Sequence, residues 1–286
     1  MRYQQRWVRV LQSRRLLTSP RAVRSLWPIA LLIATIACDA STDTRSSSPV
    51  RVAVLDTGVS RTALLAPVLD GRDHLSVLPD QGYDDHDGHG TRIASLIHLQ
   101  APRAQLVSVK AIGMGGHVTD DHLAEAIRRA VQRRANIVVL AVSGAAPLPL
   151  TRAAIVDAGR ADVLVVVAAG NNGLDLDAYP AYPAVYDEEN MVVVAATNDE
   201  GLLLGTSNRS SSRMTLALAS GLRMPTCAQD GTPTTIGGTS AASALIAARA
   251  AELLAVRRMS MEKLHRELLA GGSATTARPT AVECRP

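Results

Sequence analysis

Five short runs of this chain are apolar and rich in β-branched residues, with little polar alternation: Val50 to Leu55, Gln105 to Ile112, Ile137 to Val142, Val163 to Ala168 and Met191 to Ala196. A strand with one wet face alternates apolar and polar residues, so runs of this kind read as strands covered on both faces of a parallel sheet. Helix candidates lie between them: Thr91 to Leu99, Asp120 to Arg134, and Pro149 to Arg160. The second of these has Thr119 placed to cap it and two Asp in its first turn, where the helix dipole favours negative charge. Alternating strands and helices predict an α/β fold, a doubly wound, mostly parallel sheet flanked by helices in a single domain, with any site beyond the carboxyl ends of the strands. The Gly/Ser/Thr-rich stretch 201–238 reads as loops, followed by an Ala-rich helix from Ser240 to Arg257 and a last helix near Met261 to Ala270. Aromatic residues make up 2% of the chain and Phe is absent, so aliphatic side chains must supply the buried area.

The formal charge of +4 invites a nucleic-acid reading, but seven Arg lie before residue 25 with no acid among them, and removing those seven charges leaves −3. A basic leader ahead of a slightly acidic domain argues for targeting, and against a nucleic-acid partner. The apolar stretch from Leu26 to Ala37 that follows is too short for a confident membrane span and reads as a signal peptide. Thr35-Ile36-Ala37-Cys38 resembles a lipoprotein signal in which Cys38 would be lipidated, with Cys38 as an ordinary leader residue the equal alternative. The expected layout is a signal peptide over 1–38, a polar linker over 39–48, one folded domain over 49–275 and a tail over 276–286. Any contact with a membrane would be through the lipid or the signal anchor. With Cys38 lipidated or removed, Cys227 and Cys284 are left to pair in an oxidising compartment or to stay as two thiols.

Three loops have the composition of a reactive site. Asp56-Thr57-Gly58 ends the first strand run. Asp84-Asp85-His86-Asp87-Gly88-His89-Gly90-Thr91 leads into an apolar helix, and Gly237-Gly238-Thr239-Ser240-Ala241-Ala242 approaches a hydroxyl at a helix start. Asp-Thr-Gly alone also describes half of an aspartic protease, but no second copy occurs and the β/α alternation does not suit that all-β class. His86, His89 and the three Asp form a metal alternative that is set aside because acid-rich loops are usually solvated surface and nothing completes a ligand shell, so no metal or cofactor is expected. A Ser opening a helix is ordinarily a cap. The conjunction changes that reading: an Asp after a strand, a His opening one helix and a Ser opening another, in the order Asp, His, Ser. At the helix N-terminus His89 is expected to stay neutral, as a general base requires.

These motifs resemble the signature motifs of the subtilisin-like serine protease family over about residues 49–270, and Ala168-Ala169-Gly170-Asn171 resembles its oxyanion loop. The resemblance implies Ser240 as nucleophile, His89 as base, Asp56 as the carboxylate that orients it, and Asn171 as oxyanion donor. It also implies a peptide or protein substrate lying as a strand between Gly113-Met114-Gly115-Gly116 and Val142-Ser143-Gly144, which makes Gly113, Gly115, Ser143 and Gly144 substrate-binding candidates. Tyr182-Pro183-Ala184 resembles a segment near the primary specificity pocket. The activity expected is that of an exported endopeptidase, periplasmic, membrane-anchored or secreted, acting as a monomer. A dedicated maturation protease or ligase and a catalytically silent binding module are the alternatives. Two departures stand out. Ala244 replaces the usual Pro after the nucleophile, which suggests a share of peptide ligation, and only twenty residues separate His89 from Lys110, too few for the calcium loop of many relatives. The stretch from Cys38 to Val50 is also too short for an inhibitory pro-domain.

Overall fold

The computed structural model describes residues 48–212, 216–257, 259–270 and Cys284. The expected signal peptide, Cys38, most of the expected linker and all of the tail except Cys284 lie outside the described residues. Seven strands form one sheet in the order β2-β3-β1-β4-β5-β6-β7, and every neighbouring pair is parallel. They are β1 (Arg51–Asp56), β2 (His74–Ser76), β3 (Gln105–Lys110), β4 (Ile137–Leu140), β5 (Leu164–Ala168), β6 (Met191–Thr197) and β7 (Leu216–Ser220). The five expected strands are all present; β3 and β4 stop two residues sooner, where the chain leaves the ladder, and β1 and β6 run one residue further. The chain winds outward from β1 in both directions, to β3 on one side and β4 on the other, so the end of β1 is the topological switch point where such sheets form a crevice.

The lack of alternation in the strands has the expected cause. Val52 and Val54 face one core with α1 (His89–Gln100), α4 (Gly238–Val256) and α5 (Met261–Ala270). Ala53 and Leu55 face the other with α2 (Asp120–Gln132) and α3 (Pro149–Arg160). The Thr119 hydroxyl accepts from His122 N–H and caps α2 as expected. Helix α3 has no cap of its own, and the Asp120 carboxylate from the first turn of α2 serves it, accepting from Leu150 N, Thr151 N and the Thr151 hydroxyl. Between 201 and 238 the chain is more regular than expected. β7 extends the sheet, and β8 (Met224–Cys227) pairs antiparallel with β9 (Pro233–Ile236). Cys227, at the end of β8, is bonded to Cys284 with Cα atoms 5.6 Å apart. These strands, like β2, are three to five residues long and carry Ser, Thr or Pro, so they lack the apolar run that marks the central strands.

Candidate active site

Asp56 ends β1 at the switch point, His89 opens α1 and Ser240 is the third residue of α4. The folded chain brings the three into line. His89 Nδ1 lies 2.9 Å from Asp56 Oδ1 and 3.0 Å from Oδ2, and His89 Nε2 lies 3.2 Å from Ser240 Oγ. Asp56 is 1% exposed and Ser240 6% exposed, so both lie out of water, while the His89 side chain is 27% exposed. Gly90 permits this approach, since a Cβ there would lie 2.1 Å from Gly58 O and 3.0 Å from Asp56 Cβ.

The start of α1 leaves amides without intrahelical partners, and loop side chains supply them. Asp87 Oδ1 accepts from His89 N, Thr57 Oγ1 from Gly90 N, and Asp85 Oδ2 from Thr91 N. Helix α4 is served in the same way, by one side chain from another loop. Its N-cap is Gly237, with no side-chain cap, and Gly238 sits at φ 69° where a Cβ would meet Asn171 Oδ1 at 2.6 Å. Asn171 Oδ1 accepts from Thr239 N at 2.9 Å and from the Thr239 hydroxyl at 3.2 Å. That commits the amide oxygen to the residue before Ser240 and leaves the amide NH₂ as the unpaired end. The Ser240 N–H lies in the first turn, where the helix offers it no carbonyl.

Burial of the His89 ring disfavours its charged form, but the charge and hydrogen bond of Asp56 outweigh it and the pKa lies above the usual histidine value. The expectation that the helix end keeps His89 neutral is therefore corrected in direction: a buried carboxylate in contact is stronger than a partial dipole.

Of the four substrate-binding candidates, two have their backbone groups already occupied. Gly113 N–H donates to His117 O and its carbonyl accepts from Gly116 N, while Gly144 exchanges both groups with Tyr182, at 3.0 and 2.7 Å. Tyr182 precedes a cis Pro183. Gly115 and Ser143 make no such bonds among the described residues, so the open edge beside β4 runs through Ala141–Ser143 and not through Gly144. A cleft of about 140 Å³ lies on the 113–115 side alone, lined by Thr57, His86, Asp87, Lys110 and Ile112, with Gly113, Met114 and Gly115. The larger cavity, about 1080 Å³, lies at the amino ends of the strands around Asn190 and His265, the wrong end for a doubly wound sheet. Among the described residues no group of three or more His, Cys, Asp or Glu side chains is placed to hold a metal. The residue that sequence reasoning missed is Asp85. Asp84 and Asp87 are exposed, whereas Asp85 is 4% exposed and accepts from both neighbouring motifs.

The sequence profile of the subtilase family, peptidase S8, matches residues 47–278. Among curated proteins the chain is 30% identical over 220 residues to an alkaline protease of Alkalihalobacillus alcalophilus, a match over 72% of this chain and 54% of that one. It is equally identical to Subtilisin BL of Lederbergia lenta, over 72% of this chain and 76% of the relative. The chain thus spans about half the length of the first and three quarters of the second. Among solved structures, the protease domain of PatA superposes with a TM-score of 0.68 at 26% identity, over 82% of this chain and 90% of that one. A cold-adapted subtilisin-like serine proteinase gives 0.68 at 23% identity, over 79% and 85%, and shows the fold. With the profile matched across almost the whole described domain, the chain belongs to the subtilase family.

Proposed function

We propose that this chain is an exported serine endopeptidase that cleaves peptide bonds through an acyl-enzyme on Ser240. The observation that carries the reading is the continuous contact from Asp56 through His89 to Ser240, at 2.9 and 3.2 Å. With Nδ1–H donating to Asp56, Nε2 is the basic nitrogen and accepts the Ser240 hydroxyl proton as Oγ attacks the scissile carbonyl. Charge then develops on the carbonyl oxygen, facing the Ser240 N–H and the Asn171 amide that Thr239 holds by its oxygen. His89, now protonated and stabilised by Asp56, returns the proton to the leaving amine, and a water attacking the ester by the same relay releases the acyl product. The substrate would lie as an added strand on the Ala141–Ser143 edge.

The Arg-rich leader and its apolar stretch support export, with residues 1–38 as the signal peptide, Cys38 the point of lipidation if the anchor is lipid, and residues 49–275 as the catalytic domain, a monomer acting on peptides or proteins. Fluorophosphonate labelling of the purified domain from residue 39 onward, beside Ser240→Ala and with the adduct located by mass spectrometry, tests the reading. We expect labelling at Ser240 and a fall in kcat of about 10⁶-fold in the variant. Folded protein that does not label at Ser240 would point to a silent binding module. Release of peptides from unfolded casein marks a broad endopeptidase, and cleavage confined to a few short peptides marks a maturation enzyme.

A further inference from the structure

Asp85 lies between the two motifs that carry Asp56 and His89 and bonds to both. Its Oδ1 accepts from the Thr57 hydroxyl at 2.9 Å, from Asp87 N at 3.1 Å and from Gly88 N at 2.7 Å. Its Oδ2 accepts from Thr91 N at 2.9 Å and from the Thr91 hydroxyl at 2.5 Å. The two hydroxyls extend the reach of the carboxylate. Thr57 Oγ1 accepts from Gly90 N at 3.0 Å, and Thr91 Oγ1 accepts from Ser60 N at 2.9 Å. One buried carboxylate therefore ties the residue after Asp56 to the residues on either side of His89, and the Thr57 and Thr91 hydroxyls tie the two segments to each other a second and third time.

A helix cap alone would need none of the cross-links to Thr57. An acceptor for Gly88 N and Thr91 N would close the first turn of α1, and the loop after β1 would be free to move against it. Of the five charge-assisted bonds to this buried carboxylate, one crosses to Thr57 and four hold residues 87–91; with the Gly90–Thr57 and Ser60–Thr91 bonds, three links join the two segments whose separation sets the Asp56 to His89 contact. We propose that Asp85 is a positioning residue of the reaction: it touches neither substrate nor the reacting atoms and holds the Asp56 and His89 segments as one rigid piece. This rests on the peptidase reading above, and it explains why one Asp of the acid-rich loop is buried while its neighbours are exposed.

The test is Asp85→Asn, which keeps the shape but turns an N–H donor toward one set of donors. A displacement of about 1 Å at reacting groups costs on the order of 100-fold in rate. We expect kcat to fall about 10- to 100-fold while KM changes less than about 3-fold, because the candidate substrate edge belongs to other segments. We also expect Asp85→Asn to add almost nothing to the loss already caused by His89→Ala, since residues that act as a unit are non-additive. Thr57→Val, which changes no charge, should show the same fall in kcat, and Thr57→Ser, which keeps the hydroxyl, should recover most of it. It also guards against an Asp85 variant that fails to fold. If wild-type protein labels at Ser240 and both Asp85→Asn and Thr57→Val turn over at the wild-type rate, or if Asp85→Asn lowers the residual rate of His89→Ala as much as it lowers wild type, the positioning role is wrong and the peptidase reading stands. If wild type itself does not label at Ser240, both fall.

Discussion

Helices α4 and α2 lie on opposite faces of the same sheet and are built on different plans. In α2 the buried residues are Leu123, Ala124, Ala126, Ile127 and Ala130, a single stripe, and the outer side carries Glu125, Arg128 and Arg129 with a Glu125–Arg129 ion pair at 2.8 Å. Helix α4 is buried on every side from Thr239 to Ala248, packed among α1, α5 and the sheet. By length and composition α4 would pass for a membrane span, and it is instead the core of this face. Its many Ala let the backbone come close to its neighbours, and a helix held from all sides cannot shift along its axis. An amphipathic helix held by one stripe has more freedom, and none of the proposed catalytic groups begins α2 or α3. Ser240 and His89 both open helices of the enclosed face.

The comparison can be broken or sharpened by experiment. The largest effect is expected at the tip of α4. Asn171→Ala should lower kcat by about 10²- to 10³-fold with KM changed less than about 3-fold, measured on a peptide ester. A change in KM alone would mean that Asn171 binds substrate and donates nothing to the transition state. Next, Leu245→Ala in α4 and Leu123→Ala in α2 remove fully buried side chains of the same kind. Each should cost about 2–5 kcal/mol in urea unfolding. Only Leu245→Ala should also lower kcat, and equal losses from both variants would dissolve the distinction between the faces. A smaller effect concerns pH. The proposed mechanism needs neutral His89, and the neighbouring Asp56 raises the His89 pKa above its usual 6.5 despite burial. The acid limb of kcat/KM should therefore fall at a pH above 6.5 and move to lower pH in Asp56→Asn; a limb below 6.5 in wild type would overturn the assignment. Least of all, a chelator should leave the melting temperature unchanged, because the short connection from α1 to β3 has no room for a calcium loop. A large drop would reveal a cation site elsewhere.

Much of this was legible in the residues. The five unalternating runs became five central strands because burial on both faces is written into every residue of such a run. Asp56, His89, Ser240 and Asn171 were findable because each sits at the end of a strand or the start of a helix in a short motif. Asp85 was not, since three aspartates within four residues look alike until the fold buries one. Gly144 looked like an open edge because nothing local shows that Tyr182, far along the chain, occupies its backbone. The hairpin β8–β9 escaped for a similar reason: four-residue strands with Pro and Thr owe their shape to pairing and to packing on α1.

By itself the sequence determined the layer order, the parallel sheet and the residue types at the reactive loops, because periodicity and end signals are properties of neighbouring residues. The tertiary structure alone decided which polar groups meet and which leave water. Ser240 reaches His89 across 151 residues of chain, and Thr57 reaches Asp85 across 28. The raised pKa of His89 and the burial of Asp85 depend on those distant partners, since a charge is favoured in a core only where other groups replace the water it loses.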